Sequence, residues 1–221
     1  MKRKLKLNSQ NIWNIENNFY LRSDVSRLNK IIFQYEIFKK TLNVHGSIIE
    51  CGVFRGVSLI RLLTFRNLYK NNLKKKVIGF DAFGSFPKQK IKEDNKFAIS
   101  HDNETGVGID KKILQSFLNK KKFNNFNLLK GNIEKTIPDF LKKNKILKIS
   151  FLHLDLDVYE PTKFALEAFY DKISKNGIIL IDDYSQVNGA TRATNDFLKK
   201  NKKIKIEKLN FNSRLFFIVK K

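Results

Sequence analysis

Two short stretches set carboxylates directly after apolar runs. Residues 151–160 read F-L-H-L-D-L-D-V-Y-E, and residues 178–184 read I-I-L-I-D-D-Y. A strand interior does not tolerate unpaired charge, so Asp155, Asp157, Asp182 and Asp183 belong at strand ends rather than inside a sheet. A D-D pair alone reads as an ordinary strand-end cap. Two acidic strand ends on one rim read as a site, because carboxylates that close repel unless a cation or a shared proton compensates. Oxygen-only ligands suit a hard divalent ion such as Mg²⁺. No Cys or His cluster competes: Cys51 is the only cysteine, and His45, His101 and His153 are scattered. His153 stands in the apolar run and reads as a hydrogen-bonded core residue.

The second constellation is E-C-G-V-F-R-G at 50–56, followed by Asp81 at the end of V-I-G-F-D. Gly52 permits a tight turn and a close backbone approach, and the helix that follows offers its N-terminus to a ligand. An acid closing the second strand can accept the hydroxyls of a ribose. Together they point to an adenosine-bearing ligand. A nicotinamide dinucleotide would need the pyrophosphate cradle G-x-G-x-x-G, whose second and third glycines have no counterpart here. The methyl donor S-adenosylmethionine therefore leads on pattern.

The elements that must position these residues alternate. Apolar spacing predicts a helix over 23–42 capped by Ser23 or Asp24, a strand over 47–53, a helix over 57–68 and a strand over 77–84. Residues 85–108 have no clear periodicity, hold Pro87, Gly106 and Gly108, and are expected to form a lid loop. Then come a helix over 110–120, a strand over 126–132, a short helix over 138–143, a strand over 148–155, a helix over 161–173 with Pro161 in its first turn, a strand over 178–182 and a helix over 190–200. Strands at 204–209 and 215–219 are joined by N-F-N-S-R, too short for a crossover, so they pair antiparallel. Near-continuous apolar strands alternating with helices mean an α/β fold: a mostly parallel seven-stranded sheet, helices on both faces and a C-terminal antiparallel hairpin. Such sheets bind ligands at the carboxyl ends of their strands, where Glu50, Asp81, Asp155 and Asp182 are expected. The closing hairpin is the methyltransferase variant of this architecture, which again favours the methyl donor. One domain is expected over 1–221, with residues 1–46 as a helical extension.

The formal charge is +23, from 44 Lys and Arg against 21 Asp and Glu, and 42% of the 221 residues are hydrophobic. Such charge raises nucleic-acid binding. The lysines are spread over many segments without interleaved aromatics, so a solvated surface is the reading preferred and a nucleic-acid partner is not expected. No apolar run is long enough to span a bilayer, and no signal peptide is read in the basic start. With one cysteine, no intrachain disulfide can form, which suits a cytoplasmic setting. Assembly into a homo-oligomer is left open.

The motifs E-C-G-V-F-R-G, G-F-D-A-F-G-S-F-P, L-K-G-N-I-E-K-T-I-P, L-D-L-D-V-Y-E-P-T-K-F-A-L-E and I-L-I-D-D-Y together resemble the macrocin O-methyltransferase family, whose relatives methylate sugar hydroxyls. The resemblance runs from about residue 20 to about 198. It implies a class I methyltransferase fold, S-adenosylmethionine as donor and Mg²⁺ as an essential ion. It places metal ligands on Asp155, Asp182 and Asp183, and the general base on Asp155. Donor contacts fall on Glu50, Gly52, Val53, Phe54, Gly56 and Ser58, on Asp81 and Phe83, and on Gly131, Asn132 and Ile133. Asn132 stands where the family often has Asp. The expected acceptor is a hydroxyl of a sugar or glycosylated small molecule. A catechol-like diol, a lipid-linked glycan and, through the charge, RNA are the alternatives.

Overall fold

The structure is a computed structural model and describes residues 11–210 and 215–221. Its strands are β1 (Ser47–Cys51), β2 (Val77–Asp81), β3 (Phe126–Lys130), β4 (Ile149–Leu154), β5 (Ile173–Ile181), β6 (Ile206–Glu207) and β7 (Phe216–Val219). They form one sheet in the order β3-β2-β1-β4-β5-β7-β6. The first five run parallel; β7 runs antiparallel to both β5 and β6. This is the α/β architecture with a C-terminal antiparallel hairpin that the apolar runs predict. Residues 211–214 of the expected hairpin connection lie outside the described residues, as do residues 1–10 of the expected N-terminal extension.

The helices are α1 (Ile12–Arg22), α2 (Val25–Lys39), α3 (Val57–Asn67), α4 (Lys92–Glu104), α5 (Lys111–Lys120), α6 (Ile133–Lys143), α7 (Tyr159–Phe169) and α8 (Asn188–Lys200). Alternate strand positions feed two apolar cores. One gathers Ile48, Val77, Leu128, Phe151 and Leu180 under α2 and α3. The other gathers Ile49, Phe80, Leu152, Ile179 and Ile218 under α6, α7 and α8. Every residue of β4 is buried, as expected of a strand covered on both faces. No helix among the described residues is long and apolar enough to cross a membrane.

Several boundaries differ from the sequence expectation. The segment 85–108 is not a bare loop: α4 fills its centre. Its apolar periodicity is weak because only Ala98, Asp94 and Asp102 of the helix are buried. It is held by polar contacts instead, with Asp94 accepting from the N–H of Tyr159 at 2.8 Å and Asp102 accepting from the N–H of Phe86 at 3.1 Å. α6 begins five residues before Pro138, capped by Asn132, whose side chain accepts from the Glu134 N–H at 2.8 Å. β5 starts at Ile173, so K-N-G lies within the strand rather than before it. α1 falls within the helical extension expected over 1–46, although no separate helix is expected before residue 23. Asn11 caps it, and it buries none of its residues, so it shows no apolar stripe set against a core.

Candidate active site

Four connections leave the carboxyl ends of β1 to β4 and surround one cavity of about 630 Å³. Gly52 shapes its floor. Its φ is +90°, and a Cβ there would come within 1.7 Å of the Asp155 carbonyl oxygen. Only glycine lets the turn after β1 press against the end of β4, where the Asp155 N–H donates to the Cys51 carbonyl at 2.9 Å. Gly56, also at positive φ, precedes α3 without a side-chain cap, so the first N–H groups of that helix remain open where Val57 and Ser58 line the cavity.

Asp81 is the last residue of β2. Its carboxylate accepts the N–H groups of Val53 and Phe54, each at 2.8 Å, and of Phe83 at 2.5 Å. Burial raises its pKa, and these three bonds oppose the rise. A carboxylate offers about four acceptor positions, so one remains for a ligand hydroxyl. On the same wall stand Gly131, Asn132 and Ile133. Thus Gly52, Val53, Phe54, Ser58, Asp81, Gly131, Asn132, Ile133 and Asp155 line one space. Gly56 and Phe83 are buried beneath it and shape the loops without facing the ligand space.

Glu50 departs from its expected place. It lies inside β1, fully buried, with His153 of β4 as its register partner. His153 Nδ1 is 2.9 Å from Glu50 Oε1, and its Nε2 is 3.3 Å from Asp182 Oδ1. The Lys30 ammonium, on α2, donates to Asp182 Oδ2 at 2.5 Å. The other Glu50 oxygen has no partner among the described residues. Burial alone would lower the His153 pKa, but the hydrogen bonds to Asp182 and Glu50 overcome it and raise it to about 10. Burial would likewise raise Asp182, yet His153 and Lys30 hold it below the usual carboxylate range.

The remaining acids lack such neutralisation. Burial, then the charges of Asp182 and Asp183, push Asp155 well above the usual range. Burial, then Asp157 and Asp182, do the same to Asp183. Burial, then Asp155 and Asp182, bring Asp157 to about 7. Two groups of candidate ligand atoms lie within 4.8 Å of one another: His153, Asp155 and Asp182, and Asp155, Asp157 and Asp183. Asp155 is common to both, while Asp182 and Asp183 fall on different sides. The second group offers oxygen alone, at carboxyls whose crowding a dication would relieve, so these residues fit Mg²⁺.

Sequence reasoning missed Lys30; it read His153 as a hydrogen-bonded core residue, which the structure bears out, without naming Glu50 and Asp182 as its partners. Lys30 leaves only a weak trace, one of several cations on a helix that buries only Phe33, Gln34, Ile37 and Phe38. The Glu50–His153 pairing depends on strand register, which one sequence does not specify.

A profile of the macrocin-O-methyltransferase (TylF) family matches residues 26–213, and the chain belongs to that family. Demethyldecarbamoylnovobiocin O-methyltransferase of Streptomyces niveus is 24% identical over 166 residues, 72% of this chain and 60% of that protein. The chain therefore spans about 60% of the length of this curated relative. The crystal structure of the calicheamicin methyltransferase CalS11 superposes with a TM-score of 0.77 at 21% identity, covering 96% of this chain and 86% of that one. The O-methyltransferase NovP superposes with a TM-score of 0.71 at 20% identity, covering 89% and 80%. These likenesses show the class I methyltransferase fold.

Proposed function

We propose that this member of the macrocin O-methyltransferase family transfers a methyl group from S-adenosylmethionine to a hydroxyl of a sugar or glycosylated small molecule, with Mg²⁺ as its ion. The observation that supports this most is the shared cavity: the turn after β1, Asp81, the loop after β3 and the acid Asp155 all face it. On this reading Asp81 accepts a ribose hydroxyl, while Gly131, Asn132 and Ile133 flank the adenine. The open N–H groups at the start of α3 and the Ser58 hydroxyl receive the polar end of the donor. S-adenosylmethionine would supply a sulfonium-bound methyl carbon, to which an acceptor oxygen would bond in line as the C–S bond breaks and S-adenosylhomocysteine leaves. A sugar hydroxyl is a weak nucleophile, and Asp155 is the group placed to take its proton. A bound Mg²⁺ supplies the positive charge that lets the crowded acids ionise together and that stabilises charge developing on oxygen. Asp155 and Asp183 would hold it, with Asp157 or Asp182 completing the set.

Segment 85–108 serves as a lid in the same proposal. Arg55 Nη2 donates to the Thr105 carbonyl at 2.6 Å and the Ile109 N–H donates to the Phe54 carbonyl at 2.9 Å, so the segment is tied to the donor turn it would cover. The whole chain acts as one domain in the cytoplasm. Exposed Trp13, Tyr20 and Leu21 on α1 provide the surface that an assembly of copies would use.

Calorimetry and a labelled-donor assay test the reading. S-adenosylhomocysteine should bind and NAD should not. Methyl transfer to a panel of glycosides and nucleotide sugars should stop in excess EDTA. Preferential NAD binding would overturn the donor assignment, and full turnover in EDTA would overturn the ion.

A further inference from the structure

The loop between β4 and α7, residues 155–158, carries both Asp155 and Asp157. Asp157 stands at φ +61°, in the left-handed region that a residue with a side chain occupies only when its surroundings hold it there. Two of its bonds come from the β5 side. Its N–H donates to Asp183 Oδ2 at 3.2 Å, and its carbonyl accepts from the Ala190 N–H of α8 at 2.9 Å. Val158 precedes α7 without a side-chain cap, so the first N–H groups of that helix need acceptors from elsewhere.

Asp94 of α4 supplies one. It is buried, and its Oδ2 accepts the Tyr159 N–H at 2.8 Å. This is a helix cap delivered from another element, by a carboxylate at the positive end of α7. α8 closes the contact from a third side. A Cβ at Gly189 would come within 2.8 Å of the Tyr159 nitrogen and the Val158 Cα, and within 2.9 Å of Asp94 Oδ1. The seam is fastened again one residue on, where Glu160 Oε2 accepts the Lys90 N–H at 3.3 Å. Segment 85–108 is therefore joined at one end to the loop of the acids and at the other, through Thr105 and Arg55, to the turn after β1.

We propose that Asp94 is a positioning residue that couples the lid to the cation site: by capping α7 it fixes the 155–158 loop, and with it Asp155 and Asp157, in the arrangement that takes Mg²⁺. This rests on the Mg²⁺ reading above and adds a residue outside the acid cluster on which that site depends. The coupling runs both ways. If the Asp94 contact tightens Mg²⁺ binding, Mg²⁺ tightens the lid by the same factor. A purely structural Asp94 would hold α4 in place and leave Mg²⁺ affinity unmoved.

The test titrates Mg²⁺ into the donor-free full chain by calorimetry and follows amide hydrogen exchange of residues 92–104 with and without saturating Mg²⁺. In the native chain Mg²⁺ should slow exchange across α4 by about fivefold or more. Asp94→Ala should weaken Mg²⁺ by the same factor and abolish that slowing. Asp94→Asn keeps an oxygen for the Tyr159 N–H, and asparagine caps helices about as well as aspartate, so its Mg²⁺ affinity should stay within about twofold of native. Asp110→Ala removes a cap of the same kind from α5, where Asp110 accepts the Lys112 and Ile113 N–H groups, and should leave Mg²⁺ affinity within about twofold as well. The exchange measurement on the native chain needs no variant, so it decides the matter even if Asp94→Ala does not fold. Mg²⁺ that binds the native chain without slowing α4 would overturn the coupling and leave the Mg²⁺ reading standing. Native affinity in Asp94→Ala would do the same. An Asp94→Asn variant as weak as Asp94→Ala would show that charge rather than the cap acts, and an equal loss in Asp110→Ala would show that any lost cap acts through stability at large; either overturns the proposal. Failure of Mg²⁺ to bind the native chain would overturn both this and the ion assignment.

Discussion

At the amino ends of β2 and β3, Arg66 is fully buried and every arm of its guanidinium is used. It donates to the carbonyls of Lys75, Asn124 and Asn125 at 2.9–3.2 Å and to the Asn67 side chain at 2.8 Å. Lys75, buried beside it, donates to the carbonyls of Thr41 and Leu42 at 2.7 and 3.3 Å. At the carboxyl ends of β4 and β5 the opposite holds. Four carboxylates crowd together, two cations neutralise one of them, and a Glu50 oxygen is left without a partner. The first end saturates its buried charge with neutral backbone acceptors and so ties loops together. The second gathers like charge that a further cation or a retained proton would relieve. Charge placed for stability and charge placed for chemistry are distinguishable by whether their hydrogen bonds close.

The largest expected effect lies at the carboxyl end. Asp155→Asn should lower turnover by about 10²–10⁴-fold through loss of the proton acceptor. Its melting temperature should not fall, because the substitution removes a carboxyl that its neighbours and its burial already disfavour in charged form. A drop in stability equal to the drop in activity would erase the distinction between the two ends. Next in size is Arg66→Ala at the amino end. It strands three backbone carbonyls and should cost about 3 kcal/mol or more in denaturant unfolding. Donor affinity in the fraction that remains folded should be unchanged.

These two ends were unequally legible in the sequence. The acids were plain, because apolar runs that stop in D-L-D and D-D leave little choice but a strand end. The strand and helix alternation was equally plain, since β1, β2 and β4 are buried almost throughout and read as near-continuous apolar runs. Glu50 was misplaced by one step, because nothing in S-I-I-E-C-G shows that a histidine in the neighbouring strand waits opposite it. α4 was hidden by its polar attachment through Asp94 and Asp102. The bounds of α1 inside the expected helical extension were hidden because it buries nothing. Nothing in the sequence sets Arg66 and Lys75 apart from the many other basic residues, and only the fold shows that both are buried at this end.

The third effect concerns cation binding. Mg²⁺ should raise the melting temperature of the native chain, and at about a hundredfold excess over Kd this amounts to ~2.7 kcal/mol. Asp183→Asn leaves an oxygen but removes a charge, so the Mg²⁺ concentration needed for half of that stabilisation should rise about tenfold, equivalent to ~1.4 kcal/mol. Arg66→Ala should keep the native midpoint. A midpoint that shifts equally in both variants would show that the cation acts on the fold at large rather than at the acid cluster.

The smallest effect belongs to Lys75 and tests the amino end by pH. Burial first, and the charge of Lys74 second, lower its pKa from 10.5 to about 8. Between those values the unfolded chain holds a proton that the folded chain has released, so unfolding free energy rises with pH across that window. Below about pH 8 both states are protonated and the group adds no slope; above 10.5 both are neutral and the gain is complete. Many tyrosines and lysines titrate in the same range, so the quantity to measure is the difference between the native chain and Lys75→Met, from urea unfolding at pH 7 and at pH 9.5. The native chain should gain on the variant as pH rises. The gain is modest, because the ammonium keeps two carbonyl acceptors that offset part of its burial. A gap that stays flat would mean that those carbonyls fully replace water for this ammonium. A gap that narrows would mean that its charged form is favoured in the fold, and the amino end would then resemble the acid rim, where Lys30 is held charged by its partners.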